Sequence, residues 1–199
     1  YAHLPMIVNA SGKPYSKRDG DAFVGDFREK GYLPEALFNY LTLLGWNPGD
    51  DREKLSREEL VQAFSLDRVL QSSAQMDAAK LLNLNGQYMA ALPFDAFLEG
   101  VRAAISRLPW AATADAARLE AVARLMQSRT KLYTDVAAWE YFFVDSPSYD
   151  EKAVGKFLRK PGVSEALSAL AAALEPADAL VSPAAVEARL RNPQTRWVW

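Results

Sequence analysis

What most limits the fold of this chain is the way proline, glycine and capping residues cut it into helix-length pieces. Pro34 stands at a first helical position, where its missing N–H costs nothing. Leu37, Tyr40, Leu41 and Leu44 come next at helical spacing, and Gly45 ends the run. Asn47-Pro48-Gly49-Asp50-Asp51 reads as a turn. Ser56 and Glu59 have the spacing of a capping box, which starts a short helix running to Phe64. The same logic predicts helices over 77–91, 94–107, 115–127, 135–143, 150–159, 163–174 and 183–191, with Thr134, Ser148 and Ser182 as start signals. Ahead of the helices, Leu4-Pro5-Met6-Ile7-Val8-Asn9 is an apolar run closed by Ala10-Ser11-Gly12. It predicts a buried strand entering a loop over 12–20. The fold class is therefore mainly α: a short N-terminal strand and loop, a helical region to residue 92, and a second helical region over 93–199. The boundary is set at Leu92-Pro93, where proline breaks the chain and Ala and Leu begin to dominate.

Composition removes several kinds of chemistry. The chain has 199 residues, half of them hydrophobic, and a formal net charge of −2. That balance argues mildly against a non-specific nucleic-acid binder, although charge can be laid out in local patches. There is no cysteine, which rules out disulfides and cysteine zinc sites and suits a cytoplasmic setting. His3 is the only histidine, so neither a histidine-based triad nor a multi-histidine metal site is expected, and we assign no metal ligands. No run of about eighteen apolar residues appears, so no membrane span is expected. The chain opens on Tyr1 in mid-pattern and reads as a piece of a longer polypeptide without a signal peptide.

Chemistry concentrates in Gly12-Lys13-Pro14-Tyr15-Ser16-Lys17-Arg18-Asp19-Gly20. Two adjacent cations sit between glycines, just after the predicted strand. Flexible backbone can close over a ligand, and ammonium and guanidinium groups meet phosphate oxygens well. When pyrophosphate departs, negative charge builds on it, and a lysine placed there lowers the barrier. The plain alternative for an isolated Ser-Lys-Arg triplet is a solvated basic turn.

Wider context favours the chemical reading. The loop resembles the KMSKS-type signature of class I aminoacyl-tRNA synthetases. Gly31-Tyr32-Leu33-Pro34-Glu35-Ala36-Leu37, Asn39-Tyr40-Leu41 and Leu44-Gly45-Trp46 are similar to the segment C-terminal to that signature in bacterial glutamyl-tRNA synthetases. So are Phe64-Ser65-Leu66-Asp67-Arg68-Val69 and Asn85-Gly86-Gln87-Tyr88. The likeness is dense over about the first ninety residues and looser beyond. It departs from the family pattern at Pro14, where a lysine is usual, and at Tyr15, where an apolar residue is usual. The resemblance implies that Lys17 is the catalytic lysine contacting ATP phosphates, that Ser16 shapes the loop, and that Arg18 is a secondary phosphate or RNA contact. It implies ATP with Mg2+ as cofactor of the whole enzyme. It further implies that 1–92 carries the signature loop and a stem-contact region, and that 93–199 is an α-helical anticodon-binding bundle, incomplete at its C-terminus. The His-x-Gly-His signature of the Rossmann-type half cannot be present in a chain with one histidine. The chain alone is therefore expected to be inactive, with the catalytic half of the same protein as its missing partner.

Residues 102–132 hold Arg102, Arg107, Arg118, Arg124, Arg129 and Lys131 against only Asp115 and Glu120. This local basic segment suits phosphate contact, the alternative being a solvated face with arginine stems over apolar surface. The resemblance adds weight to Arg129, which in the family approaches anticodon bases; Lys131 and Arg124 complete the expected tRNA-binding set. Tyr141-Phe142-Phe143 reads as core rather than a stacking platform. The leading expectation is the C-terminal part of a cytoplasmic, monomeric glutamate–tRNA ligase that grips a glutamate-accepting tRNA. The alternative is a free-standing tRNA-binding module derived from such an enzyme and lacking catalytic activity. A glutaminyl enzyme fits less well, because its anticodon region is expected to be β-barrels. The 192–199 tail, with Trp197 and Trp199, has no family counterpart.

Overall fold

The computed structural model describes residues 3–20, 22–145, 149–175 and 183–190. They form two compact units, within 1–145 and within 146–199. In chain order the first unit contains β1 (Ile7–Val8), α1 (Val24–Glu29), α2 (Pro34–Gly45), α3 (Arg57–Ala63), β2 (Ala74–Gln75), α4 (Ala78–Ala91), α5 (Phe94–Ile105) and α6 (Ala116–Met126). Short 3-10 turns occupy Leu66–Arg68, Pro109–Thr113 and Gln127–Arg129, and a longer 3-10 run covers Tyr133–Phe142. The second unit contains α7 (Glu151–Ala153), a π-helical turn (Val154–Leu158), α8 (Val163–Leu174) and α9 (Pro183–Leu190). There α8 packs on α9 and on the π turn.

The chain is mainly helical, as its punctuation predicts. Pro34 begins α2 and Gly45 ends it. Ser56 and Glu59 form the reciprocal cap, with the Glu59 N–H donating to the Ser56 hydroxyl at 3.1 Å and the Ser56 N–H to the Glu59 carboxylate at 2.7 Å. Asp77, Asp115 and Asp150 cap α4, α6 and α7 by accepting the N–H three residues on.

Three features were not foreseen. The strand is only two residues long, and it pairs in parallel with β2, Ile7 opposite Ala74 and Val8 opposite Gln75. Six-residue α1 has no long apolar stripe to announce it. Over 135–143 the expected α-helix is replaced by the 3-10 run from Tyr133. Val136, Trp139 and Phe142 are three apart, a spacing that a 3-10 helix eclipses, so all three face the core. Thr134 does not start the helix. Its hydroxyl donates to the Lys30 carbonyl at 2.8 Å, and Asp135 instead accepts the N–H groups of Lys131 and Leu132, both at 2.9 Å. Phe142 and Phe143 are half-buried, as a core reading requires, but Tyr141 is exposed. Ser148, Ser182 and the 192–199 tail lie outside the described residues.

The largest apolar cluster joins Leu33 and Ala36 of the α2 region and Met89 of α4 to Phe97 and Val101 of α5 and Val122 of α6. It crosses Leu92-Pro93, where the chain turns but the core continues. Gln127 reinforces the crossing by donating to the carbonyls of Met89 and Leu92 at 3.2 and 2.9 Å. At the cluster's edge lies Asn85, fully buried. Its side-chain oxygen accepts the Leu33 N–H at 2.9 Å, and its amide nitrogen donates to the Lys131 carbonyl. One side chain thus ties the entry of α2 to the segment after α6. Asn85→Ala would leave the buried Leu33 N–H and the part-buried Lys131 carbonyl without this partner, and we expect it to lower unfolding stability by about 2 kcal/mol in denaturant titration.

Candidate functional site

The loop over 9–20 is built by Asn9 and Asp19. The Asn9 oxygen accepts the N–H groups of Ser11 and Lys13, both at 3.0 Å, and the Ser11 hydroxyl at 2.8 Å. Its amide nitrogen donates to Asp19 at 2.7 Å. The other Asp19 oxygen accepts the Ser16 N–H and the Ser16 hydroxyl, both at 2.9 Å. Backbone pairing of Tyr15 with Ile7 and of Asn9 with Lys13 holds the loop against β1. Gly20 adopts φ +145°, and a Cβ there would stand 2.7 Å from the Tyr15 hydroxyl oxygen. The structure therefore gives Ser16 a shaping position and leaves Lys17 and Arg18 exposed at the tip. Among the described residues neither cationic side chain has a hydrogen-bond or ion-pair partner. Pro14 takes part in the antiparallel bridge to Val8, where no N–H is asked of it.

Sequence reasoning missed Asn9 and Asp19. Their types are common in turns, and only the closed loop shows that they meet. Hydrogen bonds from Asn9 first, and then from Ser16, hold the Asp19 carboxyl below its ordinary value of 3.8. A lowered folded-state value means that the tether is fully present above pH 3.8 and is lost as pH falls below it.

The expected RNA-contacting residues have different surroundings. Arg129 ends the 3-10 turn after α6, exposed and without a hydrogen-bond or ion-pair partner among the described residues. Lys131 donates to the Asn83 side chain at 2.9 Å and lays its stem over Gly86. Arg124 is paired with Glu120 at 2.7 Å and sits 3.8 Å from the Phe94 ring centroid. The Arg124 guanidinium thus lies over an aromatic ring, and that of Arg118 near Phe143 is a weaker instance at 6.0 Å. Arg129 and Lys131 fall within three residues on one connection, and the loop cations stand apart on another element. Among the described residues no cluster of three or more metal-ligating side chains occurs, and no helix is long and apolar enough to cross a membrane.

Comparison with known proteins places this geometry. Residues 1–83 match the model for tRNA synthetases class I (E and Q), catalytic domain, and residues 90–195 match an anticodon binding domain. The glutamate–tRNA ligase of Thermobifida fusca is 43% identical over 88% of this chain. The chain belongs to the glutamate–tRNA ligase family. The ligase of Desulforudis audaxviator is 40% identical over 84% of the chain. A crystal structure of a glutamate tRNA ligase from Elizabethkingia meningosepticum, in complex with its amino acid, superposes on 94% of the chain with a TM-score of 0.73 at 28% identity. In family terms the chain is the end of the class I catalytic domain followed by an anticodon-binding domain. It spans 37% and 34% of the two sequence relatives and 41% of the solved chain.

The loop architecture gives a direct test. Asp19→Asn keeps the side-chain shape but removes the charge that draws the Ser16 and Asn9 donors. We expect faster amide hydrogen exchange at Ser16 and Lys13 at neutral pH, matching wild-type exchange after correction for intrinsic rates only when wild type is brought below the lowered folded-state value of Asp19.

Proposed function

We propose that this chain is the C-terminal part of a glutamate–tRNA ligase, working in the cytoplasm as a monomer with an N-terminal catalytic half. In that enzyme glutamate is activated with ATP and then joined to tRNA. Residues 1–92 supply the signature loop and the stem-contact region, and 93–199 supply the anticodon-binding helices. The observation that carries this reading is the pairing of a preformed loop presenting Lys17 with an exposed Arg129 whose side chain has no partner among the described residues, in a chain of this family.

Lys17 is the residue proposed to meet ATP phosphate oxygens. An exposed ammonium with no competing partner fits that role, and Asn9 and Asp19 hold the loop so that little order must be gained on contact. Arg18 is a second cation for phosphate or RNA, and Ser16 keeps the turn closed. Mg2+ would accompany the nucleotide and draw its ligands from outside the residues described. Arg129 offers a planar guanidinium that both hydrogen-bonds and stacks on unpaired bases. Lys131 and Arg124 are secondary, because each already has a protein partner. Gripping tRNA positions its 3′ end for the second step and makes that step effectively intramolecular.

Binding of a glutamate-accepting tRNA in a shift assay tests the reading. We expect Arg129→Ala to weaken it by about tenfold. Lys17→Ala should change it by no more than about twofold, because the lysine acts on the nucleotide. Absence of salt-dependent tRNA binding by the wild-type chain would defeat the reading. The chain alone should also give no ATP–pyrophosphate exchange above background, since it holds no His-x-Gly-His segment; measurable exchange would show that it carries a complete activation site.

A further inference from the structure

Within the first unit lies a groove of about 690 Å³ that no residue of the signature loop or of the expected anticodon set lines. Its walls come from distant parts of the sequence: Arg28 at the end of α1, Arg107 beyond α5, and Tyr133 at the start of the 3-10 run. Its floor is made of small residues. A Cβ at Gly100 would fall 2.1 Å from the Tyr133 ring, and one at Gly31 would fall 2.8 Å from the Tyr133 nitrogen. Both glycines are therefore required for the ring to lie where it does, stacked on Phe97 with centroids 6.1 Å apart.

Three donors converge on the groove unused. The Arg28 and Arg107 side chains are exposed and have no ion-pair or hydrogen-bond partner among the described residues. The Tyr133 hydroxyl likewise makes no hydrogen bond among them. Burial first, then the carboxylates of Glu35 and Glu99, raises the Tyr133 pKa, so the phenol stays protonated and remains a donor. Glu29 is the one carboxylate lining the groove, set against two arginines. A concavity of this size accommodates a nucleotide-sized group, and two cations with a phenol O–H at its walls are the complement of a phosphodiester.

We propose that this groove binds the tRNA sugar-phosphate backbone, at a contact separate from Arg129. The proposal rests on the tRNA-binding reading and extends it to residues outside the anticodon set. Thr130 and Leu132 are extended, and Tyr133 is four positions on from Arg129, so the two contacts lie within about 14 Å of chain. One RNA stem can span both. Contact with phosphate alone is insensitive to base identity, which makes the groove a positioning surface rather than a reader of sequence.

The test measures the affinity of the 199-residue chain for glutamate-accepting tRNA at several salt concentrations. Arg28→Gln with Arg107→Gln is compared with wild type, with Arg129→Ala, and with Arg57→Gln as an exposed arginine outside the groove. Both groove positions are solvent-facing, and thermal melting checks that the double variant stays folded. The proposal expects the double variant to lose roughly tenfold in affinity and its salt slope to fall by about two. The loss should be equal for an unrelated tRNA, and Arg57→Gln should be silent. Wild-type affinity and slope in the double variant, with Arg129→Ala still weakened, would overturn the groove while leaving the tRNA-binding reading intact. No tRNA binding by any form would remove both. Inorganic phosphate and a free nucleoside monophosphate form the last arm: if the double variant loses these while tRNA binding is unchanged, the groove is a small-anion site and the proposal fails.

Discussion

The first unit depends on a single buried amide. Asn85 sits where the entry of α2, the middle of α4 and the connection after α6 come together, and it satisfies one backbone donor and one backbone acceptor from the two outer segments. The Leu33 N–H is buried and the Lys131 carbonyl partly so, and pairing both specifies the geometry more sharply than apolar packing alone would. Asn39 does related work one layer away. It is fully buried, and its oxygen accepts the Leu55 N–H at 2.9 Å and the Tyr88 hydroxyl at 2.8 Å. Tyr40 closes a third clasp, its hydroxyl accepting the Asp77 N–H at 2.7 Å and donating to the Asp77 carbonyl at 3.0 Å. The helices are placed by apolar burial and their offsets are fixed by these polar pins.

That arrangement explains how a chain with a family boundary between residues 83 and 90 can carry both parts in one compact unit. The cluster through Met89 and Phe97 makes the end of the catalytic-domain match and the start of the anticodon-binding match share a core. The connection between the two matched parts is therefore packed core rather than an exposed linker. The signature loop stands apart from this core and is held instead by its own hydrogen bonds, through Asn9 and Asp19.

Much of the architecture was legible from residues alone. Pro34, Gly45 and the Ser56–Glu59 pair are local devices, and each marks a helix end where the structure has one. Lys17, Arg18 and Arg129 were likewise legible as cations, and the structure leaves each exposed. The 3-10 run was misread because Val136, Trp139 and Phe142 fit helical spacing loosely and 3-10 spacing well, and because Thr134 spends its hydroxyl on Lys30 while Asp135 does the local capping. Arg124 was legible as a cation of the basic segment, and the structure seats its guanidinium over Phe94 and against Glu120.

The sequence by itself determined the helical class, most helix ends, the composition of the loop and the family resemblance, because these reside in short-range spacing and in the order of motifs. Tertiary structure decided which groups have partners and which do not. The meeting of Asn9 with Asp19, of Asn85 with Leu33 and Lys131, and of Arg28 with Arg107 around Tyr133 joins residues from 10 to 105 positions apart. No local pattern encodes such meetings, since they arise only when burial of the apolar faces brings distant segments together.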